Sequence, residues 1–195
     1  EDGFDNIQLG ENLVGRSFVE FQKRLLALNQ RGIILAINSK NNFEDAMEVI
    51  KNHPNMILKE DNFSCMRINW NDKVSNLREI SKELNIGLDS LVFFDDDPVN
   101  REFVKHELKE VLVVDLPTDS SQYSKILTDM KVFESLKITD EDIKRKEMYL
   151  EQRKRIEFKN EVSNLDEFLK QMDIKIKIKK ADNFVIPRIS QLTLK

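Results

Sequence analysis

The chain has 195 residues, 40% of them hydrophobic and 34% charged, enough for one globular domain and part of a second. Its formal net charge of −4 excludes general nucleic-acid binding, because no excess of Lys and Arg is left to neutralise phosphates. The single cysteine, Cys65, excludes an internal disulfide, no apolar run reaches membrane-spanning length, and EDGFDNIQLG (1–10) has no signal pattern, so a cytoplasmic protein with no membrane partner is expected.

Residues 1–12 read as loop, with Gly3 and Gly10 as breakers. Phe18, Phe21, Leu25 and Leu28 then recur at helical spacing, predicting a helix over 16–30 that Gly32 ends. IILAIN (33–38) is a nearly continuous apolar run and predicts a buried strand closed by Ser39. A helix over 41–53 follows, stopped by Pro54, and MIL (56–58) is a short strand candidate. DKVSNLREISKELN (72–85) is amphipathic, with Val74, Leu77, Ile80 and Leu84 on one face.

LVFF (91–94) is the next buried strand, and it runs straight into Asp95, Asp96, Asp97 and Pro98. A helix over 99–108 and a strand over 111–116 complete the alternation. Strands alternating with helices over about a hundred residues imply parallel βαβ units, hence an α/β fold with a doubly wound parallel sheet. Beyond Pro117 the pattern turns helical, over 120–136 and 140–160. The run 144–159 is locally basic but interleaved with Glu147, Glu151 and Glu157, as on a solvated helix face. A short helix over 165–172 precedes DIKIKIKK (173–180), whose strict alternation marks a half-exposed strand. The expected organisation is an α/β domain over 1–118, a helical linker over 119–172 and the start of a second, α+β domain over 173–195.

Open α/β sheets bind ligands at the carboxyl ends of their strands. Ser39, Lys73, and the pair Asp95 and Asp96 fall at strand ends or helix starts, in that chain order. A hydroxyl and an ammonium are suited to hold phosphoryl oxygens, and an acidic pair to hold a hard cation such as Mg2+ that offsets phosphate charge. Each group also has a plainer reading: Ser39 as a helix cap, Lys73 as a solvated side chain, and Asp95 to Asp97 as an acidic turn.

The order Ser, Lys, acidic pair resembles the later motifs of the haloacid dehalogenase (HAD) superfamily, a Rossmann-like fold. Phosphorelay receiver domains use similar groups but with the acidic pair early and the Lys last, which disfavours them. Within the superfamily, SKNN (39–42), INWNDKxxN (68–76) and DSLVFFDDDPVNRE (89–102) resemble the FkbH-like branch, and similarity extends to IPRISQLTLK (186–195). The resemblance implies that Ser39, Lys40, Asn41 and Lys73 bind phosphate, with Ser39 and Lys73 in the catalytic set, and that Asp95 and Asp96 support Mg2+. Asp97 stands where that branch commonly has Asn and is left out of the metal site. Asn100 and Arg101 start the next helix, with a surface role for Arg101 favoured over substrate contact.

The resemblance further implies transfer of a glyceryl group from 1,3-bisphosphoglycerate to the phosphopantetheine thiol of an acyl carrier protein, in polyketide-type biosynthesis. A thiol route through Cys65 is chemically conceivable; the competing reading is a small buried residue between Phe63 and Met66. HAD enzymes carry an Asp nucleophile in an Asp-x-Asp motif that ends the first, central strand, and family members have it just before a segment like EDGFDNIQLG. No such motif stands in residues 1–12. A truncated chain is therefore expected, its central strand and nucleophile absent, continuing at its other end into an acyltransferase-like region. A small-molecule phosphatase and an inactive HAD-like scaffold are the alternatives to the transferase.

Overall fold

Helix α1 (Leu13–Gln30) begins three residues ahead of its apolar periodicity, because the side chain of Asn12 accepts a hydrogen bond from Gly15 N at 2.6 Å and caps the first turn. It ends where expected: Arg31 is the C-cap and Gly32 turns the chain away at φ +91°. The computed structural model describes residues 7–10, 12–134 and 148–155. The chain divides into two compact units, Glu1–Arg155 and Ile156–Lys195, and every described residue belongs to the first. The expected helix over 165–172 and strand over 173–180 lie outside the described residues.

Four strands alternate with helices as the sequence predicts, but not all at the predicted places. Strand β1 (Leu35–Ser39) leads into α2 (Phe43–Asn52) and pairs in parallel with β2 (Phe63–Ile68). The candidate strand at 56–58 is not one. The amides of Ile57 and Leu58 both donate to Gln22 Oε1 at 3.0 Å, so a side chain of α1 takes the donors that a strand ladder would have used. The strand is instead FSCMRI, whose Ser and Arg hide its apolar character, although Phe63, Ser64, Cys65 and Ile68 are all buried.

Helix α3 (Lys73–Leu84) precedes β3 (Val92–Phe93), α4 (Pro98–Glu107) and β4 (Leu112–Val113). β3 and β4 form a second parallel pair, shorter than the predicted runs. Among the described residues no strand ladder joins the two pairs, so the single sheet expected from the sequence is two two-stranded sheets. Small parallel sheets depend on helices covering them. Here α3 serves both. Its Val74 and Leu77 pack with Phe93, Val104, Leu108 and Val111, and its Ile80 and Leu84 pack with Cys65 and Tyr149. Those four α3 residues are the face that periodicity assigned, and burying each stabilises the fold by about 2 kcal/mol before entropy is counted.

Helix α5 (Tyr123–Asp129), flanked by 3-10 turns at Ser120–Gln122 and Lys131–Phe133, takes the place of the single helix predicted over 120–136. It packs on α1, with the rings of Phe18 and Phe21 edge-on to Tyr123 at 6.2 and 5.9 Å. Residues 148–155 are helical, within the predicted 140–160. That helix sets Tyr149 in the Cys65 core, while Arg153 is buried and donates to the carbonyls of Glu60 and Phe63. No helix among the described residues is long and apolar enough to cross a membrane.

Candidate functional site

The C-terminal ends of β1 and β3 and the N-terminus of α3 meet at one buried ion pair. Asp72 caps α3, accepting from Ser75 N at 2.8 Å and from Ser75 Oγ at 2.7 Å, and these bonds hold its carboxyl below the usual range. Lys73 therefore occupies the first helical position, where the helix dipole disfavours a cation. A carboxylate resolves the conflict. Lys73 Nζ lies 3.1 Å from Asp95 Oδ2, with the two side chains 9% and 6% exposed, and it donates to the Asn38 carbonyl at 2.7 Å.

Asparagines complete the brace. Asn38 Nδ2 donates back to the Lys73 carbonyl at 2.9 Å, and Asn76 Nδ2 donates to both Asn38 Oδ1 and Asn69 Oδ1 at 3.0 Å. Asn76 is fully buried, one turn along α3 from Lys73. The β1 end and the β2–α3 loop are thus tied through polar groups to the β3 end, to which no strand ladder among the described residues joins them.

The three aspartates have separate environments. Asp95 Oδ1 accepts from Asp97 N at 3.0 Å and from Asn100 Nδ2 at 3.2 Å, so both of its carboxylate oxygens are engaged. Asp97 is the N-cap of α4, accepting from Val99 N at 2.8 Å. Asp96 has an exposed side chain. Burial first, then the Asp96 charge, holds the Tyr123 hydroxyl above its usual range. Arg101 donates to the Asp95 and Asp96 carbonyls at 2.8 Å and to the Leu116 carbonyl at 3.3 Å, so it shapes the acidic loop from behind.

The structure brings Lys73 and Asp95 into contact and sets Ser39, half-buried, next in the chain to the Asn38 carbonyl that holds Lys73. Lys40 and Asn41 follow on the exposed β1–α2 loop, where Asn41 Oδ1 accepts from Asn42 N at 2.8 Å. Among the described residues no group of three or more His, Cys, Asp or Glu side chains is arranged to hold a metal ion.

Cys65 lies apart from this site, in mid-β2, with 0% exposure. Burial first, then the nearby Glu83 carboxylate, pushes its thiol up to about 12. A buried thiol held in its protonated form is a poor nucleophile, and these surroundings match the small buried residue of the two sequence readings. Sequence reasoning passed over Asn38 and Asn76. Their signals were an Asn ending an apolar strand run, and the second Asn of NDKVSN, three residues beyond Lys73.

No family model and no curated protein matches this chain. A solved structure does: the N-terminal part of the protein BF1531 from Bacteroides fragilis, containing a phosphatase domain and complexed with Mg. It is 42% identical with a TM-score of 0.66, over 69% of this chain and 36% of that one. The class is therefore a mixed α/β domain similar to a phosphatase domain. The particular relative is that Bacteroides protein, of whose solved chain the present one spans about a third.

Proposed function

We propose that this chain carries the phosphate- and metal-supporting part of a Mg2+-dependent phosphatase of the HAD type. The observation that carries the reading is the buried Lys73–Asp95 pair at the carboxyl ends of two parallel strand pairs. Similarity at 42% identity to a phosphatase domain complexed with Mg supports it. Lys73 donates to a phosphoryl oxygen from a fixed position, and Ser39, with Lys40 and Asn41 on the loop after it, provides further donors.

Asp95 and the exposed Asp96 are the oxygen donors for Mg2+. One or two carboxylates, completed by water and substrate phosphate, are a common Mg2+ set, and the residues fit the ion because Asp96 is exposed and Asp95 Oδ2, with Lys73 as its one partner, keeps a lone pair to offer. Bound Mg2+ supplies neutralisation of phosphoryl charge. The Asn38, Asn69 and Asn76 brace keeps Lys73 from swinging into solvent, which lowers the cost of orienting it when substrate arrives.

Calorimetry tests this. The chain should bind inorganic phosphate in the presence of Mg2+, and Asp96→Asn should weaken that Mg2+ dependence. Failure of the wild type to bind phosphate would remove the reading.

A finer reading rests on SKNN, INWNDKxxN and DSLVFFDDDPVNRE. Their resemblance to the FkbH-like branch supports glyceryl transfer from 1,3-bisphosphoglycerate to an acyl carrier protein as the reaction of the full-length protein. Incubating that protein with 1,3-bisphosphoglycerate and a carrier should add one glyceryl mass to the carrier. Phosphate release with no mass added would leave the phosphatase alone. Loss of both would favour a scaffold.

A further inference from the structure

Trp70, the chain's single tryptophan, is 66% exposed. Tryptophan is usually among the most buried side chains, so a ring left in water at the mouth of a site calls for an occupant. Trp70 lies on the β2–α3 loop, three residues before Lys73, at the strand edge where the ion pair sits. Its ring is also held still. Trp70 Nε1 donates to Asn42 Oδ1 at 3.0 Å, across to the β1–α2 loop that carries Ser39 to Asn41.

Asn42 is itself fixed, since its Nδ2 donates to Asp45 Oδ2 at 3.0 Å. It occupies the N-cap position of α2, yet its side chain makes no capping hydrogen bond. An Asn at that position ordinarily caps the helix through the oxygen that here receives the indole N–H. Local helix stability is forgone in order to orient an exposed aromatic face. On the other side, Asn71 N donates to Asn69 Oδ1 at 3.0 Å, and Asn69 is bonded to Asn76 of α3. The indole thus reaches from a β2–α3 loop held by Asn69 to the β1–α2 loop, the two loops that frame the phosphate-binding groups. Phe43, in the first turn of α2 beside Asn42, is exposed as well.

We infer that Trp70, clasped by Asn42, is the specificity-determining wall of this site and selects phosphomonoesters whose organic group presents a flat apolar face. Lys73, Ser39 and the acidic pair serve the phosphoryl end of such a ligand, and the indole serves the other. The inference rests on the phosphatase reading above and adds its substrate class; it is an alternative to glyceryl transfer, whose acyl phosphate presents no flat apolar face.

Methyl phosphate and phenyl phosphate differ in the organic group alone and test it on the 195-residue chain with Mg2+. Calorimetry should give phenyl phosphate about tenfold tighter binding than methyl phosphate in the wild type, from ring stacking. Trp70→Ala should bring the ratio to about one while methyl phosphate binding holds, and Trp70→Phe should keep most of the preference. Quenching of the single-tryptophan fluorescence by phenyl phosphate, but not by methyl phosphate, should accompany it. A ratio near one in the wild type, or an unchanged ratio in Trp70→Ala, overturns the inference while phosphate-site binding stands. If neither ester binds, the phosphate-site reading falls and this inference falls with it.

Discussion

Replacing Lys73 with Met removes the ammonium while keeping much of the side-chain length. Asp95 Oδ2 then loses its partner at a position where the side chain is only 6% exposed, and the Asn38 carbonyl loses its donor. Breaking one side of a buried pair costs about 3–5 kcal/mol, mostly because the remaining charge is stranded. That is a large share of the roughly 5–15 kcal/mol that holds a domain together. With a urea dependence of about 2 kcal/mol per molar, the unfolding midpoint should fall by about 2 M. Adding Asp95→Asn to Lys73→Met should recover much of the loss, since no unpaired carboxylate then remains. The double-mutant cycle, read by circular dichroism in urea, isolates this coupling. A Lys73→Met chain within about 1 kcal/mol of wild type would refute the argument that this ammonium is a buried cross-brace.

Three further outcomes follow from the same geometry. The Cys65 thiol is raised from an ordinary 9.0 to about 12, so in the folded chain it stays protonated where the unfolded chain ionises it. Its contribution is complete below pH 9 and is lost as pH rises from 9 towards 12, and the wild type should lose stability more steeply there than Cys65→Ala, by at most about 1.4 kcal/mol per pH unit. Arg153→Ala leaves the Glu60 and Phe63 carbonyls without a charged donor and should cost about 2–3 kcal/mol in thermal unfolding. Asp97→Ala should cost about 1 kcal/mol through the lost α4 cap, whereas Asp97→Asn should leave both stability and Mg2+ dependence close to wild type.

The parts of the fold that could be read from the sequence were those whose residues report one environment. The α3 face of Val74, Leu77, Ile80 and Leu84 is apolar because it is buried, and the period shows it. LVFF before three aspartates marks a strand end because apolar and acidic residues cannot share a surroundings. FSCMRI failed this logic. Ser64 is buried although polar, and Arg67 lies partly covered over β2 while pairing with Glu79 and Glu83, so neither residue type matches its burial. MIL at 56–58 failed in the opposite sense: its apolar residues suggested a strand, but Gln22, more than thirty positions away, took the amides. For the site, the order of Ser39, Lys73 and Asp95 could be read directly. The positions of Asn38 and Asn76 are marked in the sequence, but the brace they form is not, because an amide gives no sign there of which acceptor it will meet.

An ammonium has three protons to donate. Lys73 gives one to the Asn38 carbonyl and directs one at Asp95, which leaves a single N–H uncommitted. The same nitrogen can therefore reach an incoming oxyanion without releasing either strand end. Under the proposed function its structural load and a phosphoryl ligand fall to different hydrogens, so binding need not loosen the fold that makes binding possible.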